Sequence, residues 1–206
     1  MKRLITICVI IAIGAMAMPS LGTTVYTDET TFTGVLQAGY YLEEFSSVPM
    51  GQINGTLNFG PVNGFADTAS SSSNLLYGTP ANGGSLSTEY DTDTLTITFT
   101  GVPVEAVGGL FFGTDFYPGN FVSGATVRVT LSDGTVEEYS GISINDTFRG
   151  FVSSSAISSM SIKTSGQTGS GPYPTVDHLY VGVPEPATIA LLGLGTLSLL
   201  RRKRSA

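Results

Sequence analysis

The sequence predicts an all-β protein, a two-sheet antiparallel β-sandwich or jelly roll, and three observations carry that reading. Leu95, Ile97 and Phe99 alternate with Thr96, Thr98 and Thr100, and Val127, Val129 and Leu131 alternate with Thr126, Arg128 and Thr130. A period of two puts one set on a buried face and the other toward water. Ser132-Asp133-Gly134 then supplies a tight hairpin turn, with the return strand starting at Thr135-Val136. The composition agrees: 26 glycines, no tryptophan and long Ser/Thr-rich stretches suit many short strands joined by turns.

The elements follow in chain order. Asp28 or Thr30 is placed to cap a short N-terminal helix that carries Phe32, Val35 and Leu36 on one face. Strands are expected at 41–46, 57–59, 86–90, 95–100, 104–112, 126–131, 148–152, 157–163 and 176–181. The run Val107-Gly108-Gly109-Leu110-Phe111-Phe112 is apolar at every position and belongs in the middle of a sheet, its glycines marking a bulge or close packing. Residues 66–84, rich in Ser, Asn and Gly, are expected to form a long loop or a weak edge hairpin. Strands in this number without intervening helices argue for a sandwich.

Both ends differ from this body. Met1-Lys2-Arg3 precedes an apolar stretch from Leu4 to about Met18, then small residues. That is the pattern of a cleaved signal peptide, with cleavage after Gly22 favoured over cleavage after Ala17. The far end reads Val183-Pro184-Glu185-Pro186, an apolar segment from Ala187 to Leu200, then Arg201-Arg202-Lys203-Arg204. The apolar segment is expected to form a transmembrane helix, and the basic cluster to stop it on the cytoplasmic side. The chain thus divides into 1–22, 23–182 and 183–206.

Six of the nine basic residues lie at the two ends, which leaves residues 23–186 with Arg128, Arg149 and Lys163 against all sixteen acidic residues. A surface that acidic repels phosphate backbones, so nucleic acid is excluded as a partner. The one cysteine, Cys8, lies in the N-terminal apolar run, so the body is expected to hold together by packing alone and cannot be a thiol enzyme.

The C-terminal arrangement resembles the PEP-CTERM sorting signal of exosortase substrates, in order, in spacing and in position. The resemblance implies recognition by a membrane-embedded cysteine peptidase, cleavage near Pro184-Glu185-Pro186, and transfer of an exported, membrane-held precursor to the cell surface or beyond it. It also implies association with exopolysaccharide or other surface glycans. The series LTITF, VEAVGGLFFG, TVRVTLSDGT, FRGFVSSSAISSMSIKT and TVDHLYVG resembles β-sandwich modules of such proteins, and carbohydrate-binding jelly rolls in style. Jelly rolls of that kind hold a structural Ca²⁺ between an early acidic residue and an Asp of the last strand. Glu44 and Asp177 fit that pattern; the plainer reading of both is solvating surface charge.

Little else points to chemistry. His178 is the sole histidine, and although Asp177 adjoins it, neighbours on a strand face opposite ways. No G-x-S-x-G elbow occurs, so no catalytic residue is assigned and the protein is expected not to be an enzyme. Glu89, Asp91 and Asp93 form an alternating acidic stretch. For a sugar contact the loop 116–120 has suitable residues, and Tyr117 and Tyr173, each beside Pro or Gly, are the candidates. Three functions stay open: a non-enzymatic surface or matrix protein, a lectin-like module, and a glycan-active hydrolase.

Overall fold

A computed structural model describes residues 22–116, 119–165 and 171–186. The signal peptide, the transmembrane helix and the Arg201–Arg204 cluster expected from sequence lie outside these residues, as does Tyr117. No helix among the described residues is long and apolar enough to cross a membrane.

The body is the expected antiparallel sandwich. One sheet has eight strands: β1 (Thr24–Tyr26), β12 (Phe148–Val152), β9 (Ala106–Thr114), β14 (Tyr173–Gly182), β7 (Ser85–Thr88), β6 (Leu75–Thr79) and β3 (Gly51–Asn54) in spatial order, with β2 (Tyr41–Glu43) also paired to β14. The other has six: β11 (Val136–Ser140), β10 (Thr126–Leu131), β13 (Ser159–Ser165), β8 (Leu95–Gly101), β5 (Phe65–Ser71) and β4 (Leu57–Val62). The main core lies between the sheets. Leu95, Ile97, Val127, Val129 and Leu131, the alternating residues of β8 and β10, meet Val107, Phe111, Val176 and Leu179 from the facing sheet. The β10–β11 hairpin turns at Gly134, whose φ is 92°.

The segment 66–84 departs from expectation. It is neither a long loop nor an edge hairpin. β5 runs between β4 and β8, β6 joins the other sheet, and the turn between them carries the chain across the sandwich. Ser and Thr on half-exposed strand faces gave this stretch a turn-like composition, while Phe65 and Ala69 still alternate inward. The Ser72 and Ser73 hydroxyls hold the crossing by donating to Asp93 at 2.8 and 2.5 Å.

A second core lies on the outer face of the eight-stranded sheet. The helix α1 (Glu29–Thr33) is capped by Asp28, which accepts from Thr31 N–H at 2.7 Å. It lays Phe32 against Ala106, Leu110, Phe112, Phe148 and Tyr180. β9 is therefore apolar on both faces, one toward the sandwich core and one toward α1. Gly108 and Gly150 are paired across β9 and β12, and the Phe32 ring lies over both. A Cβ on Gly108 would come within 2.6 Å of that ring, and one on Gly150 within 2.3 Å.

This seat predicts a specific sensitivity. Gly150→Ala overpacks it and should cost about 1–3 kcal/mol in a urea titration, and Phe32→Ala about 3–5 kcal/mol. The double variant should cost less than the two together, since removing the ring removes the clash.

Candidate functional site

Among the described residues four places are candidates for a site, and β14 or its extension takes part in three of them. The first is a bulge at Asp177–His178. Asp177 pairs with Leu110 and Tyr180 with Gly108, so two residues of β14, His178 and Leu179, stand opposite one of β9, Gly109. His178 is the inserted residue, at a φ of 47°. The alternation expected from sequence fails there for that reason, and the two side chains are neighbours rather than opposites. His178 Nδ1 lies 3.0 Å from Asp177 Oδ2, without the alignment of a hydrogen bond. Asp177 is fully buried and accepts from its neighbour's backbone N–H at 2.7 Å and from Asn82 Nδ2 at 2.6 Å. It is a clamp that fixes the bulge. The adjoining open groove has about 450 Å³ of free volume; among its lining residues are Asp28, Glu29, Asn82 and His178.

Glu44, which sequence pairs with Asp177 for calcium, is exposed just past β2, whereas the Asp177 oxygens are engaged by protein donors. Among the described residues no three His, Cys, Asp or Glu side chains gather so as to hold a metal.

The second place is a cleft at the other end of β14. Phe116 and Tyr173 form its walls, ring centroids 6.0 Å apart, with Tyr77, Thr88, Glu89 and Asp115 also lining it. Its enclosed volume is about 10 Å³, room for one water. Tyr173, expected as an exposed platform, is 8% exposed; Phe116 is the open ring, at 56%. Burial raises the Tyr173 hydroxyl above the usual tyrosine range, with the charges of Asp91 and Glu89 adding to it. Asp115 spends its carboxylate on its own loop, accepting from Gly119 and Asn120 backbone N–H and from Asn120 Nδ2. Glu89 Oε2 is covered and has no protein partner.

The third place was missed from sequence. Asp67, on β5, shares its inward face with Phe65 and Ala69; it is 1% exposed and neither carboxyl oxygen has a hydrogen-bond partner. Glu43 acts on it from β2, where its own oxygens accept from Tyr41 OH at 2.5 Å and Phe45 N–H at 2.8 Å. Burial, then the Glu43 charge, push Asp67 up to about 7. Its period-two position beside Phe65 was the available signal.

The fourth is the end of the chain described. Gln37 N–H donates to the Val183 carbonyl at 2.9 Å, and Glu185 N–H to the Val35 carbonyl at 2.9 Å, so Leu36 and Pro184 face each other as an antiparallel bridge. Val183 and Pro184 are half-buried; Glu185 and Pro186 are exposed. Backbone pairing thus runs past Gly182, into the segment read from sequence as an address.

Residues 182–204 match the family described as the PEP-CTERM protein-sorting motif. The protein is thus a β-sandwich joined directly to that motif, which marks it as a precursor that passes the membrane and is processed by an exosortase for the cell surface. Neither the curated proteins nor the solved structures give a match to the chain.

The Asp67 geometry gives a pH prediction. Folded, Asp67 keeps its proton up to about pH 7; its unfolded reference is 3.8. Between these values the folded state binds more protons, so this contribution is full below about pH 4 and is lost as pH rises through 7. The drop in melting temperature between pH 4 and pH 8 should be smaller in Asp67→Asn than in the wild type, by on the order of 5 °C. Thermal melts at the two pH values check it.

Proposed function

We propose that this is a non-enzymatic surface or matrix protein that associates with the exopolysaccharide around the cell. The sorting motif at 182–204 carries the reading, since it delivers the acidic sandwich to the compartment where such polymers lie. The acidic surface leaves contacts with neutral sugar faces and with cations open while disfavouring polyanions. The disposition of the cleft carboxylates favours binding over turnover. Glycoside hydrolysis ordinarily uses two available carboxyl groups, and of Glu89 and Asp115 the second is occupied in holding its loop.

A lectin-like reading has one specific observation behind it, the Phe116–Tyr173 cleft. A sugar ring is far larger than the enclosed space, so it would lie across the mouth against Phe116, with Glu89 as a polar partner. Tyr173 would support the site from within. The Glu44 and Asp177 proposal for a structural Ca²⁺ stands apart from this site; a rise in melting temperature with added Ca²⁺, absent in Glu44→Gln, would support it.

The test is retention of the exported protein on polysaccharide from the producing cells. Phe116→Ala should lower retention about 5–10-fold, the loss typical of removing one aromatic anchor. Unchanged retention would leave a matrix protein without this sugar site. Turnover of the polysaccharide would overturn the non-enzymatic reading.

A further inference from the structure

We infer that the segment Val35–Gln37 masks the backbone of the sorting motif, so that exosortase processing competes with a strand pairing inside the folded body. The inference rests on the motif being a processing signal and adds how the body controls access to it. Residues facing one edge of an extended strand alternate with those facing the other. Here Val183 and Glu185 face residues 35–37, where the Val183 carbonyl accepts from Gln37 N–H and Glu185 N–H is donated to Val35. Pro184 lies opposite Leu36 with its own backbone turned to the other edge, and it has no N–H to give; Pro186 has none either. Glu185 N–H is therefore the only backbone donor within Pro184-Glu185-Pro186, and the fold has already used it.

A peptidase that takes its substrate as an added strand needs those same main-chain groups. It must peel Val183–Glu185 away first. The side chains are arranged differently from the backbone: Glu185 and Pro186 stand exposed while Val183 and Pro184 are half-buried. The motif can be met by its acid and read at the surface before its backbone is released. Leu36 anchors the mask, being 5% exposed in the same apolar cluster as Phe32 and Tyr180. The flanking bonds run on into the body, Glu105 N–H donating to the Gly182 carbonyl at 3.1 Å on the opposite edge, so opening can stop at Val183 without disturbing β14.

The experiment uses the full chain in membranes that contain the exosortase of the producing cells. Gln37→Pro removes the donor to Val183, and proline suits this site because the preceding Leu36 is already in an extended bridge. Processing should be about three- to tenfold faster than for the wild type, the factor one backbone hydrogen bond is worth. An equal or slower rate, with the wild type cleaved, overturns the mask alone. Absence of wild-type cleavage overturns the sorting reading with it. Hydrogen exchange at the Glu185 amide of the uncleaved wild type gives a check that needs no variant: protection supports the mask, and exchange as fast as in an unstructured peptide overturns it.

Discussion

The structure depends on satisfying the backbone of one strand, β14, which is buried along almost its whole length. A buried N–H or C=O left unpaired costs about 1–3 kcal/mol, so both edges of ten residues need partners. β9 supplies one edge on either side of the bulge. The other is shared between β7, which takes Thr175 and Val176, and β2, which takes Leu179 to Val181. The change of partner coincides with the bulge at His178. Asp177 holds that bulge from its own strand and binds Asn82 from the turn after β6. The bulge, the cleft at Tyr173 and the anchored tail are consequences of one strand serving three neighbours.

The same economy explains the two cores. A sandwich buries one face of each sheet, yet Ala106, Leu110 and Phe112 on the outer face of β9 are as apolar as the inner residues. Phe32 resolves this by covering them, and the glycine pair 108 and 150 lets its ring sit close to the sheet. Tyr180 OH then donates to Glu29 at the start of the helix, so α1 is held at its N-terminal end as well as by its buried ring. Two aspartates show how far local partners decide chemistry in the same acidic body. Burial alone would raise Asp133, but hydrogen bonds from Thr23, Thr135 and Ser153 outweigh it and hold its carboxyl down at about 2. Asp67 has burial without donors, and goes the other way.

Features set by short-range chemistry were legible in the sequence. The alternation in β8 and β10, the Ser132-Asp133-Gly134 turn, the Asp28 cap and the all-apolar β9 each follow from residues near one another in the chain. The sorting motif was legible for the same reason, as a linear signal. Features that depend on which strand lies beside which were not. β5 and β6 were hidden because serine and threonine suit both a half-exposed strand and a loop. A single inserted residue at His178 reverses the facing of its neighbours without any mark in composition. Tyr173 looked exposed because Pro and Gly flank it, but its position on the central strand buries it, and the exposed member of that pair is Phe116. Asp67 carried a local signal, its place between Phe65 and Ala69, but its effect needs Glu43 from a distant strand.

That the tail extends β14 has a consequence for how body and address relate. Two hydrogen bonds and the Leu36 contact are a small part of what holds the sandwich, so the bridge can open as a local event at far lower cost than global unfolding. A body joined to its motif by a long flexible linker would expose the motif equally whether folded or not. Here Leu36, in the same apolar cluster as Phe32, pairs with the segment that follows β14, so the motif is tied to the docked helix and to the seated strand. Cleavage at the motif would leave β14 its pairing with β9, β7 and β2, and among the described residues the sandwich core ends at Val181. The packing of the body therefore does not depend on the segment that the motif adds.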